Sequence, residues 1–332
     1  MKRIVPLLSF VVLLLSGAGE VWAQHQSKKK KFEYAHERTI SQSYPASSSD
    51  VLDIESQFGQ VNIKTWNRNE VKVDVKIEVS ADVKEAADLL FENIDVQHSK
   101  KGNKIYFKTI LNKKNGKGYR GKHNSNMSID YEVMMPANLA LDIENKFGNT
   151  TLPDLTGKVN ISQEFGNLSA GKLSNPGSIE VKFGGVVIEG ASNGKYEFGY
   201  ANDATIKNLS GKANVEIEFC KGNVMINAAN VSDLKVDAQY SDVAIVVPKN
   251  ISANFTVETN FGSFNNLSGI NLKKEDDDDD GARFRGPKFS NSYRGKAGDG
   301  KSTIKLEGNF SEITLSHEVP PAKERKKLVT NS

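Results

Sequence analysis

One short phrase of residues recurs through the middle of this chain, and it limits the fold more than any other feature. Ile143-Glu144-Asn145-Lys146-Phe147-Gly148 returns as Ile161 to Phe165-Gly166, and again as Ile179 to Phe183-Gly184. Between Leu141 and Gly269 it continues less regularly through Tyr200, Phe219, Tyr240 and Phe261-Gly262. The interval is 18 residues at first and 21 at the end. Ile54 to Phe58-Gly59 and Leu306 to Phe310 share the pattern outside that block.

The residue four before each aromatic is apolar or aromatic, from Ile54, Ile143, Ile161 and Ile179 to Val257 and Leu306. Six before, it is often apolar again, as at Leu52, Leu141 and Val159. A period of two is the signature of a strand with one buried face. After the aromatic the alternation resumes in the opposite parity, at Val61/Ile63, Val186/Ile188, Val243/Ile245 and Ile313/Leu315. A corner must therefore sit just after the aromatic. Glycine often stands there, at Gly59, Gly148, Gly166, Gly184 and Gly262, and glycine tolerates the positive φ expected of such a corner. Two short strands in about twenty residues cannot bury a core alone, but a stack of them can. The expected fold is all-β: a β-solenoid or β-helix-like stack of 18–21-residue repeats, with one short helix near the N-terminus. The leucine-rich signature is absent. An antiparallel meander or sandwich is the alternative.

Around this block, residues 1–23 read as a secretory signal peptide: Lys2 and Arg3, an apolar run from Val5 to Leu15, and Val21-Trp22-Ala23 before the cut. The run is too short to span a bilayer comfortably, and no transmembrane segment follows. Residues 24–49 read as a disordered basic arm carrying Lys28 to Lys31. The β-repeat domain is expected over 50–316, with loop insertions at 112–126 and 271–301, and the Phe310 unit as its last coil. Val71, Val73, Val75, Ile77 and Val79 alternate strictly as a strand. A helix fits Asp82 to Asn93, with Asp82 as its cap, placed to cover the open end of the stack. Residues 317–332 read as a basic disordered tail. Cys220 is the one cysteine, so there is no disulfide framework, and it reads as a small corner residue. With 44 basic and 41 acidic residues, no global field steers a partner, and export argues against nucleic acid.

Three sets of side chains invite a functional reading. An acid stands three before most aromatics, including Glu144, Glu180, Glu197, Glu216, Asp237 and Glu258, with Glu55 and Glu307 in the outlying units. In a stack these acids form an outward column at about 4.8 Å spacing, which like charges disfavour. Interleaved lysines such as Lys146 and Lys182, a divalent cation such as Ca²⁺, or a cationic partner would offset it; a solvated acidic face is the plainer account. Asp276, Asp277, Asp278, Asp279 and Asp280 form a contiguous run, superficially like a calcium loop but without the spacing that converges oxygens on one ion. The recurring aromatics could stack on sugars, but their parity with the apolar positions predicts that they point into the core. For catalysis, Asp203, Asp237 and Asp242 with Lys207 and Lys235 are the available acids and bases, and nothing in their spacing is specific. The five histidines are scattered, and no nucleophile, zinc or phosphate-loop motif is present. No catalytic residue and no cofactor are expected.

The signal peptide, the opening from Asp53 and Glu55 through Phe58-Gly59 to Val61 and Ile63, the alternating strand, the single Asp/Glu/Ala-rich helix and the Phe-Gly units together resemble the bacterial putative adhesin family (domain of unknown function 4097). The resemblance covers roughly residues 50–316 and implies an exported β-repeat domain without established enzymatic activity; it carries over no functional residue. The expected function is an exported, non-enzymatic binding or structural surface of the cell envelope, in the periplasm or at the cell surface, whose partner is an envelope or extracellular polymer or protein. A carbohydrate-active β-helix enzyme and a periplasmic partner in envelope-stress signalling are the alternatives.

Overall fold

A computed structural model describes residues 32–112, 119–275 and 289–320. The signal segment, Lys28 to Lys31, the run Asp276 to Asp280 and residues 321–332 lie outside the described residues. What is described is nearly all β. One helix, Lys84–Glu92, accompanies strands that join a single open sheet of 23 strands.

Alternation builds the strands, and burial fixes which face turns in. Val71, Val73, Val75, Ile77 and Val79 bury one face of Glu70–Ala81. Their β-branched side chains suit a pleated, half-buried surface. The residues four before each aromatic, Ile54 through Leu306, are all buried, as are Val61, Ile63, Val186, Ile188, Ile313 and Leu315 beyond the corners. Each contributes on the order of 1.5–3 kcal/mol of transfer free energy.

Successive units pair in parallel and in register. Ile143 lies beside Ile161, Ile161 beside Ile179, Ile179 beside Tyr196, Tyr196 beside Val215, and Val215 beside Val236. Beyond the corner, Val186 lies beside Ala204, Ala204 beside Val224, and Val224 beside Val243. Each unit thus forms a rung, and the chain turns a corner within it.

The corner differs from the sequence expectation in two linked ways. The positive φ belongs to the aromatic, from 50° at Tyr240 to 62° at Phe147, and the following Gly148, Gly166 and Gly184 do not have it. That φ swings the ring out of the core, so the aromatics point outward and not inward as parity predicts. Glycine is required for another reason, close approach. A Cβ on Gly148 would lie 1.7 Å from the Gly59 carbonyl oxygen, on Gly166 1.9 Å from that of Gly148, and on Gly184 1.8 Å from that of Gly166. The rungs touch there through bare backbone.

Both ends of the sheet depart from simple succession. At the N-terminal end, Val51–Gln57 pairs with Ala140–Lys146 on one side and Lys104–Leu111 on the other. Val61–Thr65 sits likewise between Thr150–Leu152 and Ser125–Met135. Antiparallel strands finish this end: Ile94–Lys101 on Lys104–Leu111, Glu70–Ala81 on Ser125–Met135, and Tyr34–Pro45 on Glu70–Ala81. Tyr34–Pro45 therefore corrects the arm expected over 24–49, because a full twelve-residue register ties it to the sheet. Ser125 and Asn126, expected in the loop 112–126, belong to a strand. The helix packs Ala86 and Ala87 against Ala81. Its N-cap is Val83, without a side-chain cap; Asp82 accepts instead from the Asn124 backbone N–H at 2.8 Å and from its side-chain amide at 2.7 Å.

At the C-terminal end the chain doubles back. Ser302–Asn309 inserts between Asn230–Gln239 and Ala253–Asn260, and Glu312–Ser316 between Val243–Val246 and Ser263–Asn266. The Phe310 rung is thus next to last in space, and the Phe261 rung, earlier in sequence, is outermost. Within the insertion expected over 271–301, Leu272–Glu275 and Ser290–Ala297 pair antiparallel, and the second also pairs with Ala253–Asn260. Short antiparallel strands at an edge discourage indefinite stacking.

The bare-backbone contact makes adjacent glycines unequal. Gly184→Ala drives Cβ into a backbone oxygen at 1.8 Å, whereas the nearest atom to a Cβ on Gly185 is the Asn167 side-chain oxygen at 3.0 Å, which needs to give by only a few tenths of an ångström while it accepts the Gly185 N–H. Gly184→Ala is expected to cost about 2 kcal/mol more than Gly185→Ala in denaturant unfolding. Equal losses would mean that the rungs are not held at that distance.

Candidate functional site

The outward aromatics form one continuous column. In spatial order it runs Phe58, Phe147, Phe165, Phe183, Tyr200, Phe219, Tyr240, Phe310, Phe261 and Phe289. Successive centroids are 4.7–5.1 Å apart and the rings lie within 18° of parallel. Phe289, from outside the repeating pattern, supplies the terminal ring. From Phe147 onward each ring is 39–54% exposed. Their faces are taken up by neighbours, so the column shows solvent ring edges. A sugar cannot lie flat on a ring whose two faces are already covered.

A bulky residue with left-handed backbone costs roughly 1–2 kcal/mol. A stacked ring contact returns about 0.5–1.5 kcal/mol. Each corner amide also hydrogen-bonds to the next rung: Phe147 to the Glu164 carbonyl at 3.0 Å, Phe165 to Lys182 at 3.0 Å, and Tyr200 to Glu218 at 2.8 Å. Such a bond adds about 1 kcal/mol. Strain and contact nearly balance at each rung, so the column survives only as a whole.

The acids three before the aromatics lie on neighbouring strands. Glu55 lies beside Glu144, Glu180 beside Glu197, Glu197 beside Glu216, Glu216 beside Asp237, Asp237 beside Glu307, and Glu307 beside Glu258, with Ser162 between Glu144 and Glu180. Lysines interleave with them. Lys146 reaches Glu144 at 3.1 Å, Lys182 pairs with Glu180, and Lys195 reaches Glu197 at 2.7 Å and Glu216 at 3.4 Å. Lys305 reaches Glu307 at 2.5 Å and Glu258 at 4.0 Å, and Lys235 reaches Glu307 at 3.4 Å. Hydrogen bonds to these carboxylates hold Lys146, Lys182, Lys195 and Lys305 above the ordinary lysine value. Interleaved lysine, one of the offsets weighed from the sequence, is present along the column. Among the described residues, no group of three or more His, Cys, Asp or Glu is arranged to hold a metal ion.

Asp237 is the exception in the column. Burial pushes its carboxyl up, the Glu307 charge adds to this, and its Oδ1 is buried without a hydrogen-bond partner. Burial also pushes Glu307 up, but Lys305 and Lys235 outweigh it and hold that carboxyl below the ordinary glutamate value.

The other acids and bases do not converge. Asp203 accepts the Asn223 backbone N–H at 2.7 Å and Asp242 that of Glu312 at 2.8 Å, so both tie one corner to the next. Lys207 pairs with Glu189 at 2.6 Å, and Lys235 belongs to the charged column. His36 meets Asp88 and His98 meets Tyr44, each a separate contact near the N-terminal end. Cys220 is buried at its corner, where its N–H donates to the Ser241 hydroxyl at 2.9 Å, and burial pushes its thiol up. A buried polar plug escaped the sequence reading: Thr150 donates to Gln163 Oε1 at 2.5 Å, and Gln163 Nε2 donates to the Gly148 carbonyl at 2.6 Å. Its signal is Asn145 and Gln163, polar at an inward position where later rungs carry Val181, Phe198 and Ile217.

No family profile matches the chain, and no curated protein matches it. Among solved structures it is similar to a putative adhesin from Bacteroides fragilis, at 13% identity over 84% of this chain and 97% of that one, with a TM-score of 0.31. It is also similar to a putative cell adhesion protein from Clostridium sporogenes, at 10% identity over 85% and 99%, with a TM-score of 0.23. A putative adhesin from Parabacteroides distasonis gives 10% identity over 64% and 90%, with a TM-score of 0.29.

Two substitutions test these energetics. Phe183→Ala removes the ring but keeps a Cβ in the left-handed corner, whereas Phe183→Gly removes both. The glycine variant is expected to be the more stable by about 1 kcal/mol, read from thermal melts, although both fall below the parent. Asp237 ionises less readily folded than unfolded, so its charge lowers stability above the ordinary aspartate value of about 4, and the penalty vanishes below it. Asp237→Asn is therefore expected to raise the melting temperature at neutral pH, with the gain fading on acidification. A gain that grew toward acid pH would contradict this reading.

Proposed function

We propose that the chain is an exported, non-enzymatic β-solenoid of the bacterial cell envelope that works as an adhesive binding surface. The observation that carries this reading is register. Glu180, Glu197 and Glu216 stand on adjacent rungs, with Glu144 beyond Ser162, and Lys146, Lys182 and Lys195 pair with these acids to make one charged face. A polymer laid along such a face meets a carboxylate or an ion pair on most rungs, and weak contacts then add through avidity. No described helix is long and apolar enough to cross a membrane, which agrees with an exported chain but says nothing about how it is held. The dispersal of Asp203, Asp242, Lys207 and the histidines supports a surface over an enzyme, whose chemistry needs acid, base and substrate in one groove.

Protease treatment of intact cells tests location, with a periplasmic marker as control. The protein is expected to be shaved from the surface and to bind a glycan or matrix polymer. Replacing Lys146 and Lys195 together by Gln is expected to weaken that binding several-fold while leaving the fold intact by circular dichroism. Protection until the outer membrane is opened, with no polymer bound afterwards, would rule out adhesion.

A further inference from the structure

We infer that the aromatic column is the docking surface for a second copy of this chain, the two columns lying antiparallel about a two-fold axis at Tyr200. This does not rest on the adhesive reading, which concerns the charged face.

The first argument is area. Nine rings, each 39–54% exposed, run edge to edge. An aromatic side chain carries roughly 150–250 Å² of surface, so the strip offers about 800 Å² of contiguous apolar area. That exceeds the largest patch of a typical monomer, about 300–600 Å², and matches the roughly 800 Å² each partner gives to a standard interface. The second is period. Rings spaced at 4.7–5.1 Å present an edge at that interval, and a surface that meets every edge must repeat at the same interval. A second copy does so ring opposite ring, and identical stacked side chains then pack into a dry contact.

The third argument is charge, and among antiparallel axes through neighbouring rings it favours the one at Tyr200. The residue before each aromatic flanks the column: Lys146, Glu164, Lys182, Gly199, Glu218 and Gln239 in order. An antiparallel two-fold at Tyr200 sets Phe183 opposite Phe219 of the second copy, and so Lys182 opposite its Glu218, twice by symmetry. Glu164 meets Gln239, and Gly199 meets itself. On the other flank Asn167 meets Asp242, Gly185 meets Lys221, and Asn202 meets itself. At these flanking positions no like charges meet. Moving the axis one rung to Phe183 sets Lys182 against itself, and moving it to Phe219 sets Glu218 against itself. A two-fold along the column would instead set Lys182 against Gly185 and Glu218 against Lys221, an arrangement that exchanging Lys182 would leave unchanged.

Sedimentation velocity of the purified protein across the micromolar range tests this, with thermal melts as a check of fold. The parent is expected to be a dimer. Glu218→Lys sets Lys against Lys182 twice and is expected to weaken dimerisation at least tenfold; Lys182→Glu does the same from the other side, and the double exchange K182E/E218K restores it. Lys182 also pairs with Glu180, so the Glu218→Lys variant carries the test if Lys182→Glu fails to fold. Exposed Asn202 lies at the axis, and Asn202→Cys is expected to give a disulfide-linked dimer under mild oxidation, with Cys220 buried and uninvolved. A monomer at every concentration overturns the proposal. So does a dimer that both charge variants leave unchanged, or one that Asn202→Cys does not cross-link.

Discussion

The structure depends on how each corner is turned. A residue with positive φ reverses the side-chain phase between two strands, and here that residue is an aromatic at rung after rung. Its ring stacks on the rings above and below, its amide reaches a carbonyl of the next rung, and the glycine after it often lets two backbones touch. None of these benefits exists for a rung alone, while the backbone strain does. Stability is therefore a property of neighbouring strands. The outermost corner shows the consequence. Phe261 has no further rung beyond it, and Phe289, from outside the pattern, supplies both a stacked ring at 4.7 Å and the carbonyl that accepts the Phe261 amide at 2.8 Å.

The ends carry a second constraint, because a parallel stack with open edges would keep adding strands. At one end, antiparallel strands close the pattern and the helix covers Ala81. At the other, the last rung in sequence slots between two earlier ones, tied by Ser241 N–H to the Ser311 hydroxyl at 3.0 Å and by Glu312 N–H to Asp242 at 2.8 Å. These partners are 70 residues apart, so the rung is closed by long-range contacts whose loop entropy must be met before they form. Placing the final rung inside the stack makes the outermost one dependent on it.

Much of this is legible from the residues. Parity located the strands, the buried positions and the column of acids, because burial acts on every second residue of every rung. It misjudged Phe147 and its counterparts because parity assumes a continuous strand, and a left-handed residue breaks that assumption. A run of Phe-Gly pairs directs attention to the glycine as the residue with conformational freedom; only the distance from Gly166 to the Gly148 carbonyl shows that its role is lack of bulk. The position of the Phe310 rung was beyond reach, since its pattern fits any place in the stack equally well. Tyr34–Pro45 was missed because both its faces are polar enough to read as a solvated arm.

The two columns present opposite physics to a partner. The Glu–Lys pairs are largely exposed, and exposed pairs are worth about 0–1 kcal/mol each. An incoming charged group can replace such a pair with little loss, so binding along that face is exchangeable, salt-sensitive and additive over rungs. The aromatic strip has no pairs to exchange; it gains only where water leaves it. Glycine or asparagine would turn these corners at lower cost than phenylalanine. The rings are kept, half-exposed, at one rung after another. Stacking and the corner hydrogen bond together outweigh the strain only slightly, so the exposed edges are where further gain remains to be made.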